Sequence, residues 1–231
     1  MSARLVIAID GPAGSGKSTL AERLASHLGL PYVNTGTMYR AVALEARRRE
    51  ISPDDAHGLE AIARSLRFDL SSSTSIPVLH VDGELPRWDL SSQEVEGTVS
   101  RVSSHPEVRA VLRTAQRRLG AGGGVIEGRD IGSIVFPDAE VKVFLDAAPE
   151  VRASRRIEER TGVPRRSREG EEPIAEALAA RNAADERTTP FVPAVDALVL
   201  DTSTMSADEV FDAVLDLVRN RTDEGSDPSR P

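Results

Sequence analysis

Leu5-Val6-Ile7-Ala8-Ile9-Asp10-Gly11-Pro12-Ala13-Gly14-Ser15-Gly16-Lys17-Ser18-Thr19 is the stretch on which the reading of the fold turns. Its first five residues form an unbroken apolar run, the mark of a strand buried on both faces of a parallel sheet. Residues 11–18 then match G-x-x-x-x-G-K-[ST] in full. Behind them Leu20, Leu24, Ala25 and Leu28 recur at helical spacing, closed by Gly29 and Pro31. Strand, glycine loop and helix are the context in which this string binds phosphate. The glycines let backbone N–H groups converge on an anion and the helix adds its positive end. Lys17 is expected to reach the outer phosphates and the Ser18 hydroxyl to hold Mg2+.

The same alternation continues along the chain. Short apolar strands are expected at residues 125–126, 141–145 and 197–200, and helices at 149–160 and 206–219, the last opened by a Ser206-x-x-Glu209 capping box. This predicts an α/β fold, a mainly parallel sheet of the phosphate-loop NTPase type with helices on both faces. Residues 67–90 break the rhythm. They are rich in Ser and Pro, and Val78-Leu79-His80-Val81 followed by Asp82-Gly83 suggests a small antiparallel hairpin inserted in the main domain. Residues 152–168 carry seven arginines, at 152, 155, 156, 160, 165, 166 and 168, with Gly162 and Pro164 among them, and read as a lid. The expected layout is a single domain over 1–222. Its core falls at about 1–34, 105–155 and 185–220, an acceptor-binding insert at about 35–104, the lid at about 156–180, and a tail at 223–231.

Composition narrows the function. A net charge of −8 argues against a broad nucleic-acid or membrane surface, so any phosphate site is local. There are no cysteines, hence no disulfide framework or thiolate metal site, and the four histidines share no ligand spacing. No apolar run is long enough for a signal peptide or a membrane span, and a cytoplasmic, monomeric protein is the expectation. Only two of the 29 basic residues are lysines, Lys17 and Lys142. Arginine is the default cation here, so a single arginine says little and a lysine asks for a reason. No Asn-Lys-x-Asp accompanies either lysine, which excludes a guanine-nucleotide switch. Small size, an inserted hairpin and an arginine-rich lid fit a kinase that closes over a small acceptor. Asp10 and Glu127 end apolar strands near the loop, either as partners of Mg2+ through water or as structural caps.

Four segments together, Ile9 through Thr19, Asn34-Thr35-Gly36-Thr37-Met38-Tyr39-Arg40, Glu127-Gly128-Arg129-Asp130-Ile131-Gly132 and Phe136-Pro137-Asp138-Ala139, resemble the bacterial cytidylate kinases, in order from about residue 4 to residue 218. The resemblance implies an ATP-dependent transfer to CMP or dCMP, with Mg2+. It implies ATP held by Gly11, Pro12, Ala13, Gly14, Ser15, Gly16, Lys17, Ser18 and Thr19, and catalysis by Lys17, Arg129 and Arg156. For the acceptor it implies Thr35, Tyr39 and Arg40, with Ser100, Arg109 and Asp130 reading the cytosine, Arg129 on phosphate, and Arg181 and Asp185 near the acceptor's phosphate and ribose. The base chemistry is consistent: cytosine offers an N4 amine beside N3 and O2 acceptors, and so asks for a carboxylate or hydroxyl next to a donor. The run Arg181-Asn182-Ala183-Ala184-Asp185-Glu186-Arg187-Thr188-Thr189-Pro190 departs from the family pattern at Asn182 and by one residue of spacing before Arg187. A kinase for another monophosphate such as UMP, or an ATP-binding module without catalysis, are the competing readings.

Overall fold

The computed structural model describes residues 4–71, 75–86, 93–161 and 192–224. The first apolar run forms β1 (Val6–Asp10) and feeds, through the glycine loop, α1 (Lys17–Leu28). β2 (Tyr32–Asn34) leads directly into α2 (Thr35–Arg48), whose first turn is capped by the Asn34 side chain accepting from Thr37 N at 3.1 Å. α3 (Ala56–Ser65), capped by Asp55, precedes β3 (Phe68–Ser71) and β4 (Val78–Val81). α4 (Gln93–Ser104) and α5 (Pro106–Gly120) come next, then β5 (Gly124–Gly128), a π-helical turn over Ile131–Val135, and β6 (Val141–Asp146). α6 (Pro149–Thr161), β7 (Leu198–Asp201) and α7 (Ala207–Glu224) complete the described chain.

The strands make one sheet in the order β3-β4-β2-β5-β1-β6-β7, parallel throughout except for β3 against β4. Because successive side chains on a strand point to opposite faces, β1 supplies two cores at once. Val6 and Ala8 pack with Val33, Met38, Val42, Leu112 and Ile126 under α2 to α5. Ile7 and Ile9 pack with Leu20, Leu24, Val143, Leu145 and Val214 under α1 and α7. All five residues of β1 are buried, as the continuous apolar run predicts. This is the α/β architecture expected from the sequence, and the capping box forms, Glu209 N donating to Ser206 Oγ at 3.2 Å and Ser206 N to Glu209 Oε2 at 2.8 Å.

The antiparallel pair lies where the rhythm breaks, but it is the edge of this same sheet, since β4 pairs parallel with β2 through Tyr32 and Val78. Its ladder runs between Phe68–Ser71 and Val78–Val81. The Asp82-Gly83 signal does make a tight turn, with φ of 52° and 85°, yet it closes only the single bridge between Val81 and Glu84. Two successive positive-φ residues suit the right-handed twist of paired strands. Of the residues expected to form a lid, only those on α6 fall within the described residues; 162–180, and with them Arg165, Arg166 and Arg168, lie outside them, as do Arg181, Asp185 and Arg187. No described helix is long and apolar enough to cross a membrane.

Candidate active site

β1 lies between β5 and β6, while the chain leaves β1 for β2 on the far side of β5, so the strand order reverses direction at β1. Crevices for ligands open at the carboxyl ends of strands at such a point. The loop of residues 11–16 sits there. Gly11 (φ +142°) could carry no side chain, because a Cβ would lie 2.0 Å from the Leu145 carbonyl oxygen. Gly14 (φ +80°) is equally confined, with a Cβ position 2.5 Å from the backbone oxygen of Arg152 on α6. The loop is thus clamped between β6 and α6. Ser15 is fully buried and its Oγ has no hydrogen-bond partner among the described residues, a donor held ready for an anion. Lys17 Nζ donates to the Pro12 carbonyl at 2.7 Å, curling back over the loop.

The next layer is the end of β5. Ser18 Oγ donates to Glu127 Oε2 at 3.0 Å, and the Tyr32 hydroxyl donates to Glu127 Oε1 at 2.5 Å. Burial and the adjacent carboxylate push the Tyr32 phenol far above its ordinary value, so it stays a donor. Thr35 Oγ1 donates to the Glu127 carbonyl at 2.7 Å, which locks the start of α2 to β5. Asp10, ending β1, accepts from Ile131 N and Gly132 N at 2.8 Å each and so holds the π-helical turn. Its carboxyl is pushed up from 3.8 to about 6, chiefly by burial, with the two N–H groups opposing the rise. Arg129 donates to the Gly11 carbonyl at 2.5 Å.

A second wall of the site is built from α2, α4 and α5. Arg40 donates to Thr37 Oγ1 at 3.0 Å and lies beside Asn34 and Gly36. Asp130 Oδ2 accepts from Arg109 at 2.9 Å and from Arg113 at 2.7 Å. Tyr39 is half-buried next to this trio, and loss of solvent around its hydroxyl raises its phenol above the ordinary range. Opposite, Arg155 on α6 donates through both terminal nitrogens to Thr202, at 2.8 Å to Oγ1 and 2.7 Å to the carbonyl. Thr202 Oγ1 in turn lies 3.1 Å from the Ser15 carbonyl, its acceptor. Burial lowers the Arg155 guanidinium below its usual value.

These walls enclose a cleft of about 790 Å3. Ala13, Gly14, Ser15, Gly16, Lys17, Ser18 and Thr19 line one side; Tyr39, Arg40, Arg109, Arg129 and Asp130 line another, with Arg156 across from them. Thr35 and Ser100 are not on its surface: Thr35 braces the floor as above, and Val99 and Ser103 present α4 to the cleft. Gly11 and Pro12 also stand behind the wall, their carbonyls taken by Arg129 and Lys17. The sequence reading missed Tyr32, Arg113 and Thr202, none of which belongs to a motif, and named Arg155 only among the lid arginines. Arg113 alone left a trace, one helical turn beyond Arg109.

Residues 7–220 match the family model described as Cytidylate kinase. The chain is 46% identical over 224 residues to a cytidylate kinase of Acidiphilium cryptum (strain JF-5), an alignment covering 94% of this chain and 97% of that one. It is 41% identical over 232 residues to a cytidylate kinase of Solibacter usitatus (strain Ellin6076), covering 97% and 96%, and 40% identical over 227 residues to one of Mycobacterium avium (strain 104), covering 96% and 99%. Among solved structures, a shikimate kinase from Acinetobacter baumannii in complex with shikimate aligns with 94% of each chain at 14% identity and a TM-score of 0.44.

Proposed function

Because this chain belongs to the cytidylate kinase family, and is thereby an ATP-dependent nucleoside monophosphate kinase acting on CMP or dCMP, we propose that the cleft described above carries out the transfer with the residues that line it. The observation that carries this assignment is that a complete phosphate loop and a base-sized group of Asp130, Arg109 and Tyr39 face the same cleft, with Arg40, Arg129 and Arg156 around it. ATP lies along residues 11–19, its phosphates met by the loop N–H groups, the Ser15 hydroxyl and Lys17. CMP or dCMP lies on the α2 and α5 side. Arg40 takes its phosphate, Asp130 accepts from the cytosine amine, and Arg109 donates to the ring acceptors. In this reading Tyr39 packs beside the base, while Thr35 acts by holding the floor in place. Arg181 and Asp185 are assigned to the acceptor's phosphate and ribose.

The acceptor phosphate oxygen attacks the γ-phosphorus in line, and no covalent enzyme intermediate is needed. Lys17, Arg129 and Arg156 spread the charge that develops, so positioning and electrostatics supply the catalysis. Kinases of this kind generally use Mg2+, which usually takes few protein ligands and completes its shell with phosphates and water. Ser18 and Glu127, 3.0 Å apart at the cleft, fit such an ion. When bound, it would neutralise phosphate charge; Glu127 meanwhile accepts the hydrogen bond of the Ser18 hydroxyl and so turns that oxygen's lone pairs outward. We assign residues 35–104 to acceptor binding and about 156–180 to a lid on a single domain of 1–222, working as a cytoplasmic monomer. The test is ADP release with CMP, dCMP, UMP and AMP under one set of conditions. CMP or dCMP should lead; UMP or AMP outperforming both overturns the acceptor assignment, and ATP binding with no transfer to any of them overturns the catalytic one.

A further inference from the structure

We propose that Arg113 is a specificity-determining positioning residue, which holds the Asp130 carboxylate at the angle that accepts the cytosine amine. The proposal rests on the reading that Asp130 and Arg109 meet the base. Arg109 and Arg113 stand four residues apart on α5 and both donate to the same oxygen, Oδ2 of Asp130. Only Arg109 faces the cleft. Arg113 stands behind, and among the described residues Asp130 is its sole hydrogen-bonding partner; its Nε is buried with no acceptor. A guanidinium with five N–H groups, devoted to one carboxylate oxygen, has no other polar task here.

The arrangement solves a conflict built into the site. Before a base enters, Arg109 and Asp130 satisfy each other. When Arg109 turns to the ring acceptors of cytosine, a largely buried carboxylate would lose its partner and swing after it. Arg113 keeps Oδ2 occupied throughout. Oδ1, which accepts nothing from the described residues, is then left facing the amine. The backbone beneath is already fixed, since the Asp130 carbonyl accepts from Ile134 N and Val135 N of the π-helical turn, so the side-chain torsions are the remaining freedom. Two cations on one carboxylate also leave a net positive neighbourhood around it.

Uracil puts an oxygen where cytosine has its amine and gains nothing from a well-aimed Oδ1. Arg113→Leu should therefore lower kcat/KM for CMP by about tenfold, the worth of one well-placed hydrogen bond, and change kcat/KM for UMP by less than about twofold. Arg113→Lys, which keeps a charge but not the planar fork, should restore part of the CMP preference. Arg113→Gln serves if the leucine variant does not fold, and ATP binding is the check on each variant. A parallel fall for both acceptors, or an unchanged CMP to UMP ratio in a variant that binds ATP normally, overturns the proposal while leaving the acceptor assignment standing. A wild-type enzyme with no preference for CMP over UMP overturns both.

Discussion

Replacing Asp10 by asparagine isolates one buried charge whose effect on stability can be worked out in advance. Asp10 is 6% exposed, lies at the end of β1, and accepts two backbone N–H bonds from the π-helical turn. Its carboxyl titrates at about 6 in the folded chain against 3.8 for the free group, because burial outweighs the two donors and Lys17. Between those values the folded state holds a proton that the unfolded state has released. Stability from this group is therefore fully present below about pH 4 and is lost as pH rises to 6 and beyond. At 1.36 kcal/mol per pKa unit the loss amounts to about 3 kcal/mol. Asp196, Asp201 and Glu209, all held below their ordinary values, act in the opposite sense, so the wild-type profile alone mixes the two trends. The difference between wild type and Asp10→Asn removes them. Urea denaturation followed by circular dichroism from pH 4 to 7.5 should show the wild type losing about 2.5 kcal/mol relative to the variant across that range. The asparagine amide cannot accept the second N–H bond, which adds a cost independent of pH. A difference that stays flat, or that grows in favour of the wild type as pH rises, would refute the account of Asp10.

Three further outcomes follow from the cleft. Lys17→Ala should cut turnover by about 10² to 10³ without unfolding the chain, the typical loss when one preorganised donor to transition-state charge is removed; near-normal turnover in a folded sample rules out its catalytic role. Gly14→Ala forces a Cβ against the Arg152 carbonyl at a backbone angle that costs an L-residue about 1–2 kcal/mol. Its KM for ATP should rise about tenfold or more, and an unchanged value would mean that the loop and α6 are not in contact. Glu127→Gln disturbs the acceptor shared by Ser18 and Tyr32, so the Mg2+ concentration giving half-maximal rate should rise by about tenfold. If that concentration stays the same, Glu127 has only a packing role.

What could be read in advance was local. β1, the glycine loop and α1 are contiguous, and each announces itself by a run, a motif or a helical spacing; so do the strand at 141–145 and the box at Ser206 and Glu209. The floor of the site was hidden because it is assembled across the chain. Ser18 and Glu127 are 109 residues apart, Tyr32 and Glu127 are 95 apart, and Thr202 reaches back 187 residues to Ser15. Thr35 and Arg113 show two ways in which motif and geometry part. A motif brought Thr35 into the expected site although its hydroxyl is spent on the Glu127 carbonyl, while Arg113 went unnoticed among 27 arginines until Asp130 was seen beside it. The hairpin misled for a related reason. Asp82-Gly83 is a sound turn signal, but the strand that pairs along Val78–Val81 precedes it.

The position of β1 in the sheet has a consequence for how the protein is made. Both of its neighbours, β5 and β6, come from residues 124 and beyond, so this fully buried strand leaves the ribosome with nothing to pair with. At roughly 5–20 residues per second, the 110 or so residues to β5 take about 6–20 seconds to synthesise. Throughout that interval Val6–Asp10 is an unpaired edge on both sides, the kind of segment that chaperones capture and that aggregates when they do not. The phosphate loop, first of the functional elements to be translated, is among the last to acquire its shape.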